Sequence, residues 1–234
     1  CAQPSIPDGG ERDTTPPSIE ASSVLSGSIE QPTTLKKLVL TFDENIKLGS
    51  TSDIMFSPRL KKSPEITAKA KKVIIKFEDT LEDNTTYLIN FGKVITDFTE
   101  GNALDSNIFA FSTGPEIDSL ALKGTALDEY SKEPLKDAVV MLFKVDKDSA
   151  LFSGEPQYYN TTNEKGEFTL PFLKAGSYQI FALTDANDNL KYDLPEEKVY
   201  FSDNSIRLAE DTTLNLSLSA LIEPENFIES SHWH

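Results

Sequence analysis

The chain of 234 residues has few of the side chains that usually carry catalysis or hold transition metals. Its one cysteine, Cys1, cannot form a disulfide within the chain or contribute to a cysteine metal cluster. Both histidines, His232 and His234, lie beyond the last predicted strand, whereas a general base must be held rigidly. The sequence contains no nucleophile elbow, zinc-protease motif or glycine-rich phosphate loop. It therefore predicts a protein that is not an enzyme.

Basic residues are scarce, with 22 Lys and Arg against 38 Asp and Glu and a net charge of −16. Proteins that bind nucleic acid or an anionic lipid surface present a basic face, so this balance argues against both as direct partners.

Long apolar runs are missing as well. Because a membrane-spanning helix needs about 18 or more consecutive apolar residues, no segment is predicted to span a membrane.

Convincing amphipathic helices are also missing, and short runs with period-two alternation take their place. In these runs β-branched and aromatic residues alternate with polar ones, and Asp, Asn, Gly and Pro separate the runs. A break at residues 113–116 leaves about seven strands on each side, which is typical of β-sandwiches. The sequence therefore predicts an all-β chain with two consecutive β-sandwich domains. Their predicted bounds are 18–114 and 117–219, with a C-terminal tail at 220–234.

The N-terminal segment, residues 1–17, is rich in proline and contains two adjacent glycines, a composition that favours an extended tether. A lone cysteine in first position is what remains when a bacterial lipoprotein signal peptide is cut. We therefore expect Cys1 to carry the lipid that attaches the protein to a membrane.

Two stretches carry family resemblances. Residues 35–113 contain L-x-L-T-F-D-E-N-I, D-N-T-T-Y-L-I-N-F and D-F-T-E-G-N-A-L, and they resemble the bacterial Ig-like domain first named from S-layer proteins. Residues 120–183 contain L-K-G-T-A-L-D and T-N-E-K-G-E-F-T-L and are similar to the carboxypeptidase-regulatory-like, transthyretin-like sandwich. The opening C-A-Q-P with D-T-T-P-P looks like the start of Ig-like-domain lipoproteins of the Bacteroidota. The resemblance implies an outer-membrane location and leaves open which face of that membrane the protein occupies.

One loop has the ligand spacing of a calcium site. Oxygen-bearing side chains fall at loop positions one, three, five, nine and twelve, and the carbonyl at position seven completes the set. The predicted ligands are Asp185, Asn187, Asn189, Lys191 through its carbonyl, Asp193 and Glu196. Leu190 stands where glycine normally makes the sharp turn, and no helices flank the loop. The alternative is a polar loop whose Asn and Asp residues cap turns.

Two further features concern carbohydrate. Asp13-Thr14-Thr15 resembles the O-glycosylation motif of Bacteroidota envelope proteins, which makes Thr14 a candidate acceptor. Tyr158, Tyr159, Tyr192 and Trp233 are aromatic residues that stack on sugars where they are exposed. Adjacent strand residues point to opposite faces, so at most one of the first two reaches solvent.

These observations predict a non-catalytic, lipid-anchored outer-membrane protein that serves as a rigid adaptor or accessory subunit of an envelope complex. The expected partner is an outer-membrane β-barrel assembly or another lipoprotein. The alternative is a glycan-binding lipoprotein that captures polysaccharide.

Overall fold

The computed structural model describes residues 12–145, 156–187, 190–192, 194, 196–202 and 204–220. Seventeen strands and one short 3₁₀ helix, Thr51–Asp53, make up the regular structure of these residues, so the predicted all-β class is confirmed. None of the helical segments in these ranges has the length and hydrophobicity needed to cross a membrane. The chain divides into two compact units, Cys1–Asp118 (unit 1) and Ser119–His234 (unit 2).

Unit 1 contains nine strands arranged in three antiparallel sheets. The strands are β1 (Ile19–Ser22), β2 (Lys37–Phe42), β3 (Ile46–Leu48), β4 (Met55–Ser57), β5 (Glu65–Lys69), β6 (Lys72–Lys76), β7 (Thr86–Asn90), β8 (Ile95–Asp97) and β9 (Ile108–Ser112). The sheet orders are β1-β2-β6-β5, β4-β7-β9 and β3-β8. Strand β1 is therefore an edge strand of the four-stranded sheet, and β9 is an edge strand of the three-stranded sheet.

The core of unit 1 follows from the alternation of its strands. Leu38, Leu40 and Phe42 of β2 lie on one face of the strand and are fully buried. Val73 and Ile75 of β6 are buried in the same way, so the predicted alternation is confirmed for both strands. Strand β7 differs, because four of its five residues are buried and both of its faces are covered.

The segment that enters unit 1 is bonded to it. Arg12 donates from Nη2 to the carbonyl oxygen of Glu100 at 2.9 Å. Asn102 donates from Nδ2 to the carbonyl oxygen of Asp13 at 3.1 Å, and Pro17 is buried. From Arg12 onward, the segment predicted as a tether is therefore attached to unit 1.

Unit 2 contains eight strands. They are β10 (Leu120–Asp128), β11 (Val139–Lys144), β12 (Tyr158–Thr161), β13 (Glu167–Leu173), β14 (Gly176–Leu183), β15 (Lys198–Phe201), β16 (Ile206–Leu208) and β17 (Thr212–Ala220). The strand order is β12-β11-β14-β15-β17-β10-β13, with β16 paired to β14. One core cluster takes side chains from both halves of this order, for example Leu122 and Leu170 from one half and Leu142 and Ile180 from the other.

Two strands of unit 2 show why the sequence folds in this way. Val139 to Leu142 of β11 are all buried, as the continuous apolar run predicts for a central strand. Strands β10 and β17 run parallel, with Gly124 opposite Leu214. A Cβ atom at Gly124 would lie 1.8 Å from the carbonyl oxygen of Leu214, so only glycine allows these two backbones to come this close.

Candidate functional site

The loop predicted to bind calcium connects β14 to β15 and is closed at its neck by two hydrogen bonds. The backbone N–H of Thr184 donates to the carbonyl oxygen of Lys198 at 2.9 Å. The backbone N–H of Lys198 donates to Oγ1 of Thr184 at 2.7 Å. The first predicted ligand, Asp185, therefore starts from a backbone that the sheet holds in place.

Asp185 and Leu190 shape the first half of the loop. Oδ2 of Asp185 accepts a hydrogen bond from the backbone N–H of Leu190 at 2.7 Å. Leu190 has φ +60, the left-handed conformation that glycine adopts at this position of a calcium loop. Its side chain packs beside Val139, Met141 and Leu183. This packing offsets the strain of a positive φ at a residue with a side chain, so the leucine makes the turn in place of glycine.

Glu197 is the carboxylate that joins the two ends of the loop. It is 1% exposed, and Oε1 accepts from the backbone N–H of Ala186 at 3.1 Å. Its other oxygen, Oε2, accepts from the backbone N–H of Leu194 at 3.1 Å. A buried carboxylate satisfied in this way fixes the path of the chain, because losing it leaves N–H groups without partners.

The predicted ligands are in different situations. Asp185 is partly buried, whereas Asn187, Lys191 and Glu196 are exposed. Asn189 and Asp193 lie outside the described residues. Among the residues whose placement is described, no three His, Cys, Asp or Glu side chains are grouped so that they could hold a metal ion. Calcium binding by this loop therefore stays a prediction.

Sequence reasoning missed Glu197, although one signal points to it. Val199 is buried on β15, and alternation carried back by two residues places Glu197 on the same face as Val199. The spacing of the calcium motif draws attention to Glu196 instead.

A groove of about 610 Å³ lies on unit 1 beside the edge strands β1 and β9. It is lined by residues 15–22, by Leu25 and Ser26, and by residues 104–106 with Ile108 and Phe109. Leu25 is 71% exposed and Ile108 is 46% exposed. Large apolar side chains with this much exposure, gathered around one groove, are typical of an interaction surface.

The backbone along this groove is partly unpaired. Strand β1 pairs with β2, and no other described strand pairs with it. The edge of β9 is covered from Ala110 onward, because Gly27 donates to the carbonyl oxygen of Ala110 at 2.7 Å and Ser28 accepts from Ser112 at 2.9 Å. The groove thus opens at Ile108, where this cover ends. Within the described ranges, Glu20 and Asp105 are the charged residues that line it.

Asp97 organises a further turn of unit 1. Its side chain accepts backbone hydrogen bonds from Glu100 at 2.6 Å, Gly101 at 3.0 Å and Asn102 at 2.8 Å. Burial alone would raise the pKa of Asp97, but these donors outweigh burial and lower its pKa. Burial raises the pKa of Glu44, and the negative charges of nearby carboxylates raise it further. Among these carboxylates Asp97 has the largest effect. We interpret this cluster as a structural turn.

The remaining predicted features have the following places. Tyr158 is 3% exposed and Tyr159 packs partly covered against a second cluster, as expected for adjacent strand residues. Tyr192 is 36% exposed, while Trp233 lies outside the described residues. Thr14 is exposed, and its glycosylation stays a prediction. Cys1 also lies outside the described residues, so its lipidation stays a prediction too.

The solved structures that match this chain are distant from it. The major pilin subunit of Bacillus cereus is 13% identical, with a TM-score of 0.29, and the match covers 86% of this chain and 70% of that chain. The S-layer protein rSbsC is 14% identical, with a TM-score of 0.28 and coverage of 84% and 25%. An L,D-transpeptidase from Mycobacterium smegmatis is 10% identical, with a TM-score of 0.27 and coverage of 87% and 90%. Similarities this weak do not indicate function.

No curated protein matches the sequence. A family model does match, and it covers every strand of unit 1, from β1 to β9. Residues 13–113 match the family described as the bacterial Ig-like domain, and unit 1 is therefore built on such a domain.

Proposed function

We propose that this protein is a non-catalytic outer-membrane lipoprotein that acts as an adaptor or accessory subunit of an envelope complex. The observation that carries the proposal is the groove of unit 1, which combines an open edge strand, β1, with the exposed apolar side chains of Leu25 and Ile108. A surface of this kind binds a protein partner without the need for any catalytic group.

The groove suits an extended peptide segment of the partner. A strand laid beside β1 pairs with its open backbone edge, and alternate apolar side chains of that strand fill the space between Leu25 and Ile108. Glu20 and Asp105 line the groove, and no basic residue among those that the structure describes does so. We therefore propose that the docked segment is apolar with a basic residue beside it. A second copy of this chain is disfavoured, since each copy carries a charge of −16.

The test is a pull-down in mild detergent from the membranes of cells that make the protein. We expect the wild type to recover one envelope protein in stoichiometric amount. Leu25→Asp should lose this partner, because a carboxylate in the groove repels the acidic lining and cannot be buried without cost. The matched control is Tyr130→Asp in unit 2, where the native side chain is 73% exposed against 71% for Leu25. Equal recovery with both variants would show that the groove is not the docking site.

The anchor is tested separately. We expect intact mass measurement of protein extracted from membranes to show acyl chains at the N-terminus. Cys1→Ser should release the protein when the membranes are washed with salt, because acyl chains are the only predicted attachment that salt does not weaken. An unmodified N-terminus on membrane-extracted protein would contradict lipid anchoring and would leave the groove proposal standing.

A further inference from the structure

The basic residues of this acidic protein are segregated along the chain. Residues 36–76 hold ten Lys or Arg and four Asp or Glu, whereas the whole chain holds 22 and 38. Strands β2, β5 and β6 lie in this stretch and pair side by side in the four-stranded sheet. The net charge of −16 therefore does not describe the surface of this sheet.

The register of the three strands shows which lysines share its outer face. Leu38 and Leu40 of β2 and Val73 and Ile75 of β6 point into the core, so the alternate residues point outward. Three outward rows follow from the pairing: Lys37–Lys76–Glu65, Val39–Ile74–Thr67 and Thr41–Lys72–Lys69. We call the outward side chains of Lys37, Lys69, Lys72 and Lys76 the lysine face. All four are exposed.

Two pairs of like charges stand directly opposite each other on this face. Lys37 is the cross-strand partner of Lys76, and Lys69 is that of Lys72. Like charges in this arrangement destabilise a sheet. Glu65 compensates Lys76 through an ion pair of 2.8 Å. Within the described part of the chain, no ion pair involves Lys37, Lys69 or Lys72. The Lys37–Lys76 pair is therefore offset by Glu65, whereas the fold keeps the Lys69–Lys72 pair without a compensating ion pair among the described residues.

Ordinary surface chemistry does not explain the arrangement. Lysines on an edge strand protect it from pairing with other chains, and this accounts for Lys69 on β5. It does not account for Lys37, Lys72 and Lys76, which lie on the interior strands β2 and β6. A solvated face drawn from this composition would carry more acids than bases, whereas this face carries four lysines and one glutamate.

We propose that the lysine face binds the surface of a membrane that contains anionic phospholipids. Lysine is a flexible point charge that pairs well with phosphate groups, and its stem can lie along an apolar surface. The middle row, with Val39 and Ile74 half-buried, is apolar and lies between the two charged rows. A flat lipid interface offers both phosphates and an apolar boundary to such a face. A rod-shaped polyanion such as nucleic acid fits this face less well, because the two charged rows are separated by a row without charge.

The face goes beyond the adaptor function proposed above and does not depend on Cys1. The test therefore uses the full chain with Cys1→Ser, so that no acyl chain contributes to binding. Cosedimentation at low ionic strength is measured with vesicles of phosphatidylcholine alone and with vesicles of equal parts phosphatidylcholine and phosphatidylglycerol. We expect binding to the anionic vesicles only, and we expect added salt to weaken it.

The decisive comparison uses two variants with the same net charge. One carries Lys37→Gln, Lys69→Gln and Lys72→Gln, and the other carries Lys123→Gln, Lys144→Gln and Lys165→Gln, three exposed lysines of unit 2. The first should bind the anionic vesicles about a hundredfold more weakly, since each lysine near a lipid surface contributes roughly fivefold. The second should bind nearly as the wild type does. The first variant should also melt at or above the wild-type temperature, because it removes repelling pairs.

Three results would overturn the proposal. The first is no binding of the Cys1→Ser protein to anionic vesicles at low salt. The second is an equal loss in the two triple variants, which would mean that net charge rather than the lysine face governs binding. The third is binding to soluble dextran sulfate without binding to vesicles, which would assign the face to an anionic glycan.

Discussion

At the scale of single residues, Glu197 determines the shape of the loop between β14 and β15. Its carboxylate accepts hydrogen bonds from Ala186 near one end of the loop and from Leu194 near the other. Glu196, the adjacent residue, is exposed and belongs to the predicted calcium ligands. Glu197 thus has the structural role in this loop, whereas Glu196 has the predicted role in metal binding.

Glu197→Gln should destabilise the protein by about 1.5 to 3 kcal/mol, the usual contribution of hydrogen bonds to a buried charged group. The amide keeps one acceptor oxygen and presents an NH₂ group to the backbone N–H that loses its partner. Urea unfolding measures the difference. Glu196→Gln is the matched control, and its free energy of unfolding should stay within about 0.5 kcal/mol of the wild type. Equal effects of the two substitutions would contradict this account of the loop.

Calcium should raise the melting temperature of the wild type, because it binds the folded loop in preference to the unfolded chain. The expected affinity is in the range of about 10⁻⁴ to 10⁻³ M that is typical of extracellular modules. Asp185→Ala should abolish the rise. If the wild type melts at the same temperature in calcium and in EDTA, the loop is a turn and the metal site does not exist.

At the scale of elements, an ion pair joins the end of β10 to the start of β15. Lys198 donates from Nζ to Oδ2 of Asp128, whose side chain is 7% exposed. Oδ1 of Asp128 accepts from the backbone N–H groups of Tyr130 and Ser131 at 2.9 and 2.8 Å. The bond from Lys198 lowers the pKa of Asp128 most, and the backbone hydrogen bonds lower it further. The pKa therefore lies far below its usual value of 3.8.

This lowered pKa predicts a dependence of stability on pH. The stabilisation is fully present above pH 3.8, the usual value for the unfolded chain, and it is lost as the pH falls towards the lower pKa of the folded state. Asp128→Asn should therefore reduce the melting temperature at neutral pH and flatten its decline in acid. Glu133→Gln, an exposed position in the same turn, should leave the acid decline unchanged. Parallel pH curves for Asp128→Asn and the wild type would disprove this assignment.

Sequence reasoning found strands by two patterns, alternation where one face is exposed and a continuous apolar run where both faces are buried, as in β11. Residues 38–42 and 73–77 alternate because each has the core on one side and solvent on the other. Strands β3 and β8 have three residues each, which is too short for a period to show. The parallel pairing of β10 with β17 joins Thr125 and Asn215, which are 90 residues apart, and no local pattern encodes such a partner.

The candidate surfaces were harder to predict than the fold for the same reason. The groove of unit 1 combines residues 15–22 with residues 104–109, which are distant along the chain. The lysine face becomes visible only when the strand register places Lys37 beside Lys76. The sequence shows an excess of basic residues at 36–76, but not which of them share one face of the sheet.

At the scale of the whole molecule, net charge and local charge lead to different expectations about the binding partners. A value of −16 argues against any anionic partner, whereas the outer face of the four-stranded sheet is basic. The groove has the opposite character, with Glu20 and Asp105 along an apolar space. One sandwich thus presents two surfaces of different chemistry, one for each of the two proposed binding partners.

Site-specific photocrosslinking in cells tests whether the groove of unit 1 docks an envelope protein, as we propose. A photoreactive residue at position 108 should crosslink to a single envelope protein, identified by mass spectrometry. The same residue at position 201 in unit 2 should not, although Ile108 and Phe201 are both 46% exposed. Crosslinks to the same protein from both positions, or none from position 108, would contradict the account.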